Sequence, residues 1–177
     1  FGLVSRNVQC IFLSDTVSII GTLNGAAKLV AGTWQRIDSL NGYQVRSIAQ
    51  LGDSQFFATE RGIRVKYNGA WTTLTSGLLS TNTYSLTIDG LGHIWCGTDL
   101  GLAVLQGNIW HPYRFNCIGS NACFRATCDQ TGNPYIITRP QREIQYLING
   151  QWLSYNQSNT GMPFSTLERL AADKNGN

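Results

Sequence analysis

The sequence predicts an all-β fold built from repeated units of four antiparallel strands, and three observations carry that prediction. The run DGLGHIWCGTDLGLAVLQGNIW, residues 89–110, holds five glycines and two tryptophans with hardly a charge. It alternates strand-forming segments with turns too short to hold a crossover helix, so its strands must pair antiparallel. Thr22, Thr59, Thr98 and Thr138 each end a short apolar segment (VSIIGT, QFFAT, HIWCGT, PYIIT), at spacings of 37, 39 and 40 by subtraction. Trp34, Trp71 and Trp110 each follow such a threonine by twelve residues, and Trp152 follows by fourteen, so the fourth unit carries an insertion. A period near 40 that holds one four-stranded unit is the mark of a β-propeller blade.

Each element of the unit has a local reason. The innermost strand is expected in NVQCIFL, VRSIAQ, YSLTI, FRATC and ERLAA. A turn follows it, with Asp89, Asp129 and Asp173 three residues before Gly92, Gly132 and Gly176; Asp can bond its own backbone and Gly supplies positive φ. The threonine segments are the second strands. Gly25, Gly62 and Gly101 open the third, and the tryptophan segments (AGTW, NGAW, QGNIW, NGQW) form the outermost, with tryptophan filling the wedge between neighbours. Blade cores are therefore expected near 8–37, 45–75, 83–115 and 123–156, with a further blade starting over 164–177. About four blades and the start of a fifth read as part of a larger ring. Ser165–Glu168 has the form of a helix capping box, but its place in the repeat is that of an inner strand, which is the reading adopted.

Composition limits the function classes. Only 13% of the 177 residues are charged, and the net charge is +3 with the basic residues dispersed. The densest group is Arg61, Arg64 and Lys66, and without a basic stripe or module a nucleic-acid partner is not expected. No apolar run is long enough to span a membrane. The chain starts at Phe1 with no signal-like segment, as a mature product or excised piece would.

Cys10, Cys96 and Cys128 fall in strand segments and read as small apolar residues. Cys117 and Cys123 stand six residues apart in an expected loop; they could close a disulfide in an oxidising compartment or stay reduced. No histidine accompanies them, so no zinc site, metal or cofactor is expected.

A catalytic site is not expected either. His93 and His111 are the only histidines, both read as surface or strand-filling, and no nucleophile elbow, phosphate loop or zinc-protease motif is present. Asp89, Asp129 and Asp173 recur, as turn residues do and catalytic acids do not. A carboxylate pair drawn from different blades, such as Glu60 and Asp99, is the remaining route to a lyase or hydrolase.

Binding fits better, on the face formed by the loops between blades and those joining second to third strands. These loops carry Asn24, Glu60, Arg61, Asp99, Arg139 and Arg142, with Tyr113, Phe115, Tyr155 and Phe164 near the inter-blade segments. The turn ITRPQRE alone breaks the repeat, adding two residues and two arginines.

DGLGHIWCGTDLGLAVLQGNIWHPY closely resembles the repeat of the two-component regulator propeller family, with its Asp-x-x-Gly-x-Ile-Trp-x-Gly-Thr, Gly-Leu and Gly-x-Trp segments. GLVSRNVQCI and GMPFSTLERLAAD resemble its inter-blade segment. The third unit matches best and the fourth departs most. The resemblance implies an extracytoplasmic sensor propeller, periplasmic or extracellular, often seven-bladed and part of a membrane-anchored parent with a histidine kinase. Its ligand would be a small glycan, or a protein partner on the loop face, with homo-oligomers allowed. A structural or protein-interaction propeller of the cell envelope is the alternative.

Overall fold

A computed structural model describes residues 3–113, 122–129, 131–139, 143–161, 167 and 170, with backbone only at Arg139 and Gln157. Four four-stranded antiparallel sheets stand side by side. Blade 1 is β1 (Val8–Leu13), β2 (Ser18–Thr22), β3 (Gly25–Val30) and β4 (Thr33–Arg36). Blade 2 is β5 (Ser47–Leu51), β6 (Ser54–Thr59), β7 (Gly62–Tyr67) and β8 (Ala70–Leu74). Blade 3 is β9 (Thr83–Ile88), β10 (Ile94–Thr98), β11 (Gly101–Gln106) and β12 (Ile109–Tyr113). Blade 4 is β13 (Ala122–Cys128), β14 (Pro134–Arg139), β15 (Ile144–Ile148) and β16 (Gln151–Tyr155). Among the described residues helix is confined to two single turns, Asp38–Leu40 and Gln157–Thr160.

The strands within each sheet run in sequence order, and the first strands pack on one another, β1 on β5, β5 on β9 and β9 on β13. They are the inner strands, as the repeat predicts. Among the described residues β13 and β1 share no such packing, so the four blades form a sector rather than a closed ring. The expected fifth inner strand and the capping box at Ser165–Glu168 lie largely outside the described residues.

The recurring threonine is a clasp. Thr22, Thr59 and Thr98 are fully buried. Each hydroxyl donates to the carbonyl of the glycine three residues on (2.9, 2.7 and 2.9 Å) and accepts an N–H from the residue two on (Asn24, Arg61 and Leu100). Closing that tight turn needs φ of +113°, +102° and +144° at Gly25, Gly62 and Gly101, which a side chain would strain. The same turns hold adjacent blades together: Gly25 N–H donates to Tyr43 O (2.6 Å) and Gly62 N–H to Thr81 O (2.7 Å), each in the segment leading into the next blade. In blade 4 the clasp is lost. Thr138 is buried, its hydroxyl has no partner among the described residues, and its N–H donates to Glu143 O (3.1 Å) across the inserted turn.

Strand alternation sends one face of each sheet forward and the other back, giving three apolar seams. Between blades 1 and 2 lie Ile19, Ala26, Val45 and Phe57, with Trp71 against them. Between blades 2 and 3 lie Phe56, Ala58, Val65, Ile94, Cys96 and Trp110, among others. Between blades 3 and 4 lie Trp95, Leu102, Val104, Cys123 and Ile136, with Trp152. Trp71, Trp110 and Trp152 thus wedge against the preceding blade. Among the described residues Trp34 meets no neighbouring blade. It pairs with Leu29 on the face of blade 1 turned away from blade 2, where Ile11 and Leu13 are 63% and 70% exposed.

Candidate functional site

Two turns of each blade set the two ends of the sector. The Asp turns after the inner strands stand at one end, and the threonine turns with the inter-blade segments at the other, because successive antiparallel strands reverse direction.

The Asp turns are structural. Asp89 accepts at Oδ1 from Leu91 N–H and His93 N–H (both 2.9 Å), and at Oδ2 from Trp95 Nε1 and His93 Nδ1 (both 3.0 Å). Asp129 repeats the pattern with Thr131 and Asn133. Burial alone would raise the Asp89 carboxyl, but the hydrogen bonds from Trp95, His93 and Leu91 outweigh it and hold it below the usual carboxylate range. Asp129 is lowered in the same way by Thr131 and Asn133 against its own burial. His93, expected as a surface or strand-filling residue, is a partly exposed arm of this turn, its ring on Asp89.

At the other end the inner strands share an irregularity. Register shifts between Val8 and Cys10, between Thr83 and Ser85, and between Cys123 and Arg125 leave Gln9, Tyr84 and Phe124 as single bulged residues. Arg46 takes the same place in blade 2, its N–H donating to Ala58 O opposite Ser47. A bulge turns one side chain out of the pleat, and at this position it re-aims side chains to the inner rim. The Arg46 guanidinium lies 4.6 Å from the Tyr84 ring centroid, and Tyr84 lies 5.4 Å from Phe124. Arg125 covers Phe124 at 4.4 Å. The result is a continuous aromatic and cationic ledge across blades 2, 3 and 4.

Hydrogen bonds fix the ledge to the loops. Arg46 Nη1 donates to Asn82 Oδ1 (2.6 Å) and Thr83 O (3.0 Å), and Nη2 donates to Gln44 Oε1 (2.6 Å). Asn82 Nδ2 donates to Asp99 Oδ2 (3.0 Å) and to the Tyr84 hydroxyl (3.2 Å). Gln44 N–H donates to Glu60 Oε2 (2.8 Å), and Glu60 Oε1 lies 3.2 Å from Arg61 Nε. Arg61 and Arg64 both stack on Tyr43, at 5.3 and 5.5 Å. Glu60 and Asp99 therefore belong to one chain of polar contacts. Glu60 spends both oxygens on it, whereas Asp99 keeps a buried Oδ1 without a partner among the described residues.

Of the residues expected to bind, the structure brings together Glu60, Arg61 and Asp99. Asn24 serves its own threonine clasp through its N–H. Tyr113 is not on the open face: its ring packs 5.4 Å from Trp95 and 6.4 Å from Trp152, inside the seam between blades 3 and 4. Tyr155 ends a stack across blade 4, Tyr135 to Tyr146 at 5.4 Å and Tyr146 to Tyr155 at 4.7 Å, on the outermost strand opposite Ile144. The Arg139 side chain and Arg142, Phe115 and Phe164 lie outside the described residues. Cys123 is not a loop residue but a strand one, fully buried with a free thiol that burial pushes up; its expected partner Cys117 lies outside the described residues. The strand places Cys123 Sγ in the seam against Gly97, where a Cβ would lie 2.9 Å from it.

Sequence reasoning missed Gln44, Arg46, Asn82, Tyr84, Phe124 and Arg125. Gln9, Arg46, Tyr84 and Phe124 stand thirteen, thirteen, fourteen and fourteen residues before the four threonines. That column was available, but nothing in the residue types marks a bulge.

Neither a family model nor a curated protein matches this chain at the sequence level. Solved structures do match. The extracellular domain of a protein assigned as a hybrid two component system from B. thetaiotaomicron superposes with TM-score 0.81 at 19% identity, over 99% of this chain and 26% of that one. A streptogramin B lyase superposes with TM-score 0.71 at 16% identity, over 88% of this chain and 57% of that one. An ancestral GH74 enzyme gives 0.72 at 15%, over 90% and 26%. The chain thus spans about a quarter of the first and third of these proteins and just over half of the second. The chain has the fold of consecutive blades of a β-propeller, a fold found in extracellular domains of two-component systems and in enzymes alike.

Proposed function

We propose that the chain is part of an extracytoplasmic recognition propeller of the two-component regulator kind, binding a small ligand such as an oligosaccharide over the inner rim of its loop face. The ledge of Arg46, Tyr84 and Phe124 carries this reading. Sugar rings lie on aromatic faces through their C–H groups, and fixed amides, carboxylates and guanidinium groups select among hydroxyls. Gln44, Asn82 and Asp99 supply such groups beside the rings, and the bulges present the aromatics without disturbing the blades beneath. The likeness to the extracellular domain of a two-component system supports a sensory role. Binding rather than turnover is favoured because Glu60 is fully engaged in fixing the loops.

A screen of neutral and acidic oligosaccharides by saturation-transfer NMR, repeated with Tyr84→Ala and Arg46→Ala, tests the reading. A ligand whose affinity drops about tenfold or more in the Tyr84 variant, in a protein with unchanged circular dichroism, supports it. A ligand indifferent to both variants would overturn the location. A protein partner that shields this face, with no saccharide bound, would favour the envelope-interaction reading instead.

A further inference from the structure

The seam between blades 1 and 2 departs from the other two at the positions that should close it. Six residues after the clasp threonine, blade 2 has Val65 and blade 3 has Val104, both buried; blade 1 has Lys28. Opposite it, seven residues after the threonine and four before it, blade 3 presents Leu105 and Ile94 to blade 2. Blade 2 presents Lys66 and Gln55 to blade 1. Strand pairing confirms that these sit on facing surfaces: Ile19 pairs with Lys28, and Gln55 with Lys66, which pairs in turn with Trp71.

An ammonium group cannot be desolvated in an apolar seam without a partner, and here the seam opens. A cavity of about 400 Å³ lies between the blades, lined by Lys28, Lys66, Arg36, Gln55 and Trp71, with Asp38 as its acid. Among the described residues the ion pairs are Arg61–Glu60 and His93–Asp89, so none neutralises Lys28, Lys66 or Arg36. Arg64 adds a fourth positive charge at the edge, its guanidinium 5.5 Å from the Trp71 ring and its Nε buried without a partner.

We propose that this cleft is a second binding site, distinct from the ledge of Arg46, Tyr84 and Phe124, for a small ring-shaped ligand bearing a carboxylate or sulfate group. The oxyanion would sit between Lys28 and Lys66, which face each other across the seam and would otherwise repel. The ring would lie against Trp71, and Gln55 would bond its hydroxyl groups. An acidic sugar unit has that chemistry, and a neutral sugar lacks the group that most of the lining recognises.

Tryptophan fluorescence and calorimetric titrations with digalacturonate, glucosamine 6-sulfate, inorganic sulfate and neutral cellobiose test the proposal. The two acidic sugars separate carboxylate from sulfate recognition. The expected result is binding of at least one acidic sugar, weakened by added salt and not shown by cellobiose. In Lys28→Val/Lys66→Leu, which copies the residues of the neighbouring seam, affinity should fall about tenfold. Lys28→Gln/Lys66→Gln removes the charges while keeping the cleft polar, and should lose affinity equally; it serves if the first variant misfolds. Tyr84→Ala should leave this binding intact, which separates it from the ledge. No binding by either acidic sugar, equal binding by cellobiose, binding by sulfate alone as tight as by the sugars, or unchanged affinity in both double variants would each overturn the proposal.

Discussion

The seam between blades 2 and 3 and the seam between blades 1 and 2 are built on the same repeat positions and reach opposite outcomes. In the first, Val65, Ile94 and Trp110 interlock, and Trp110 is 1% exposed. In the second, Lys28, Gln55 and Lys66 take the corresponding places, and Trp71 stays partly exposed beside a cavity. The inner halves of both seams are alike and apolar, with Ala58 and Ile63 in one and Ala26 and Val45 in the other. Blade-to-blade cohesion therefore resides near the clasp turns and the inner strands. The outer half is free to change from core to cleft without dissolving the fold.

That contrast can be broken most severely at the tryptophans. Trp110→Ala should destabilise by about 3–5 kcal/mol, as for a large buried aromatic, while Trp71→Ala should cost roughly half as much because part of its ring is already hydrated. Urea unfolding of the two variants checks the difference, and equal losses would mean the two seams are equally closed.

Exchanging the seams is the next largest effect. Val65→Lys should destabilise by about 2–3 kcal/mol by placing an unpaired ammonium in a closed contact. Lys28→Val/Lys66→Leu should stabilise by about 1–2 kcal/mol through apolar burial. Midpoints of thermal unfolding at equal protein concentration decide both.

The clasp gives a smaller and sharper comparison. Thr98→Val should cost about 1–2 kcal/mol, since it leaves Gly101 O and Leu100 N–H without the hydroxyl. Thr138→Val should cost nothing or stabilise slightly, because that hydroxyl has no partner to lose among the described residues.

Acid titration probes the opposite end of the blades. The Asp89 carboxyl is held below its unfolded value, so its contribution is complete above the ordinary aspartate range near pH 4. It is lost as the pH falls through the depressed folded value. Asp89→Asn should flatten that acid limb of the stability curve in denaturant titrations. An unchanged limb would show that another carboxylate governs it.

Most of the architecture could be read from the chain because its markers meet the hydrogen-bonding and backbone needs of a tight turn. Thr22, Thr59 and Thr98 need a hydroxyl, Gly25, Gly62 and Gly101 need positive φ, and few other residues substitute. Glu60, Arg61 and Asp99 were legible as neighbours on the loop face for the same reason, since they sit in turns that the clasp locates. Arg46, Tyr84 and Phe124 were not, because a bulge shifts a side chain by one place and leaves the apolar alternation on either side intact. Tyr113 misled because an aromatic near a loop can as well fill a seam, and packing against Trp95 decides which. Lys28 and Lys66 lie in strands whose positions imply burial, and only the facing blade reveals that the burial never happens.

A side chain on a bulge opposes no residue across the ladder, so replacing it breaks no backbone pairing and leaves the seams untouched. Gln9, Tyr84 and Phe124 are three such places, and Arg46 holds the corresponding position of blade 2. Duplicated blades can therefore diverge in specificity one residue at a time, with the strand pairing of the scaffold kept. The same four codons, randomised together, would make a compact selection library whose members keep the parent's fold while exploring new ligands.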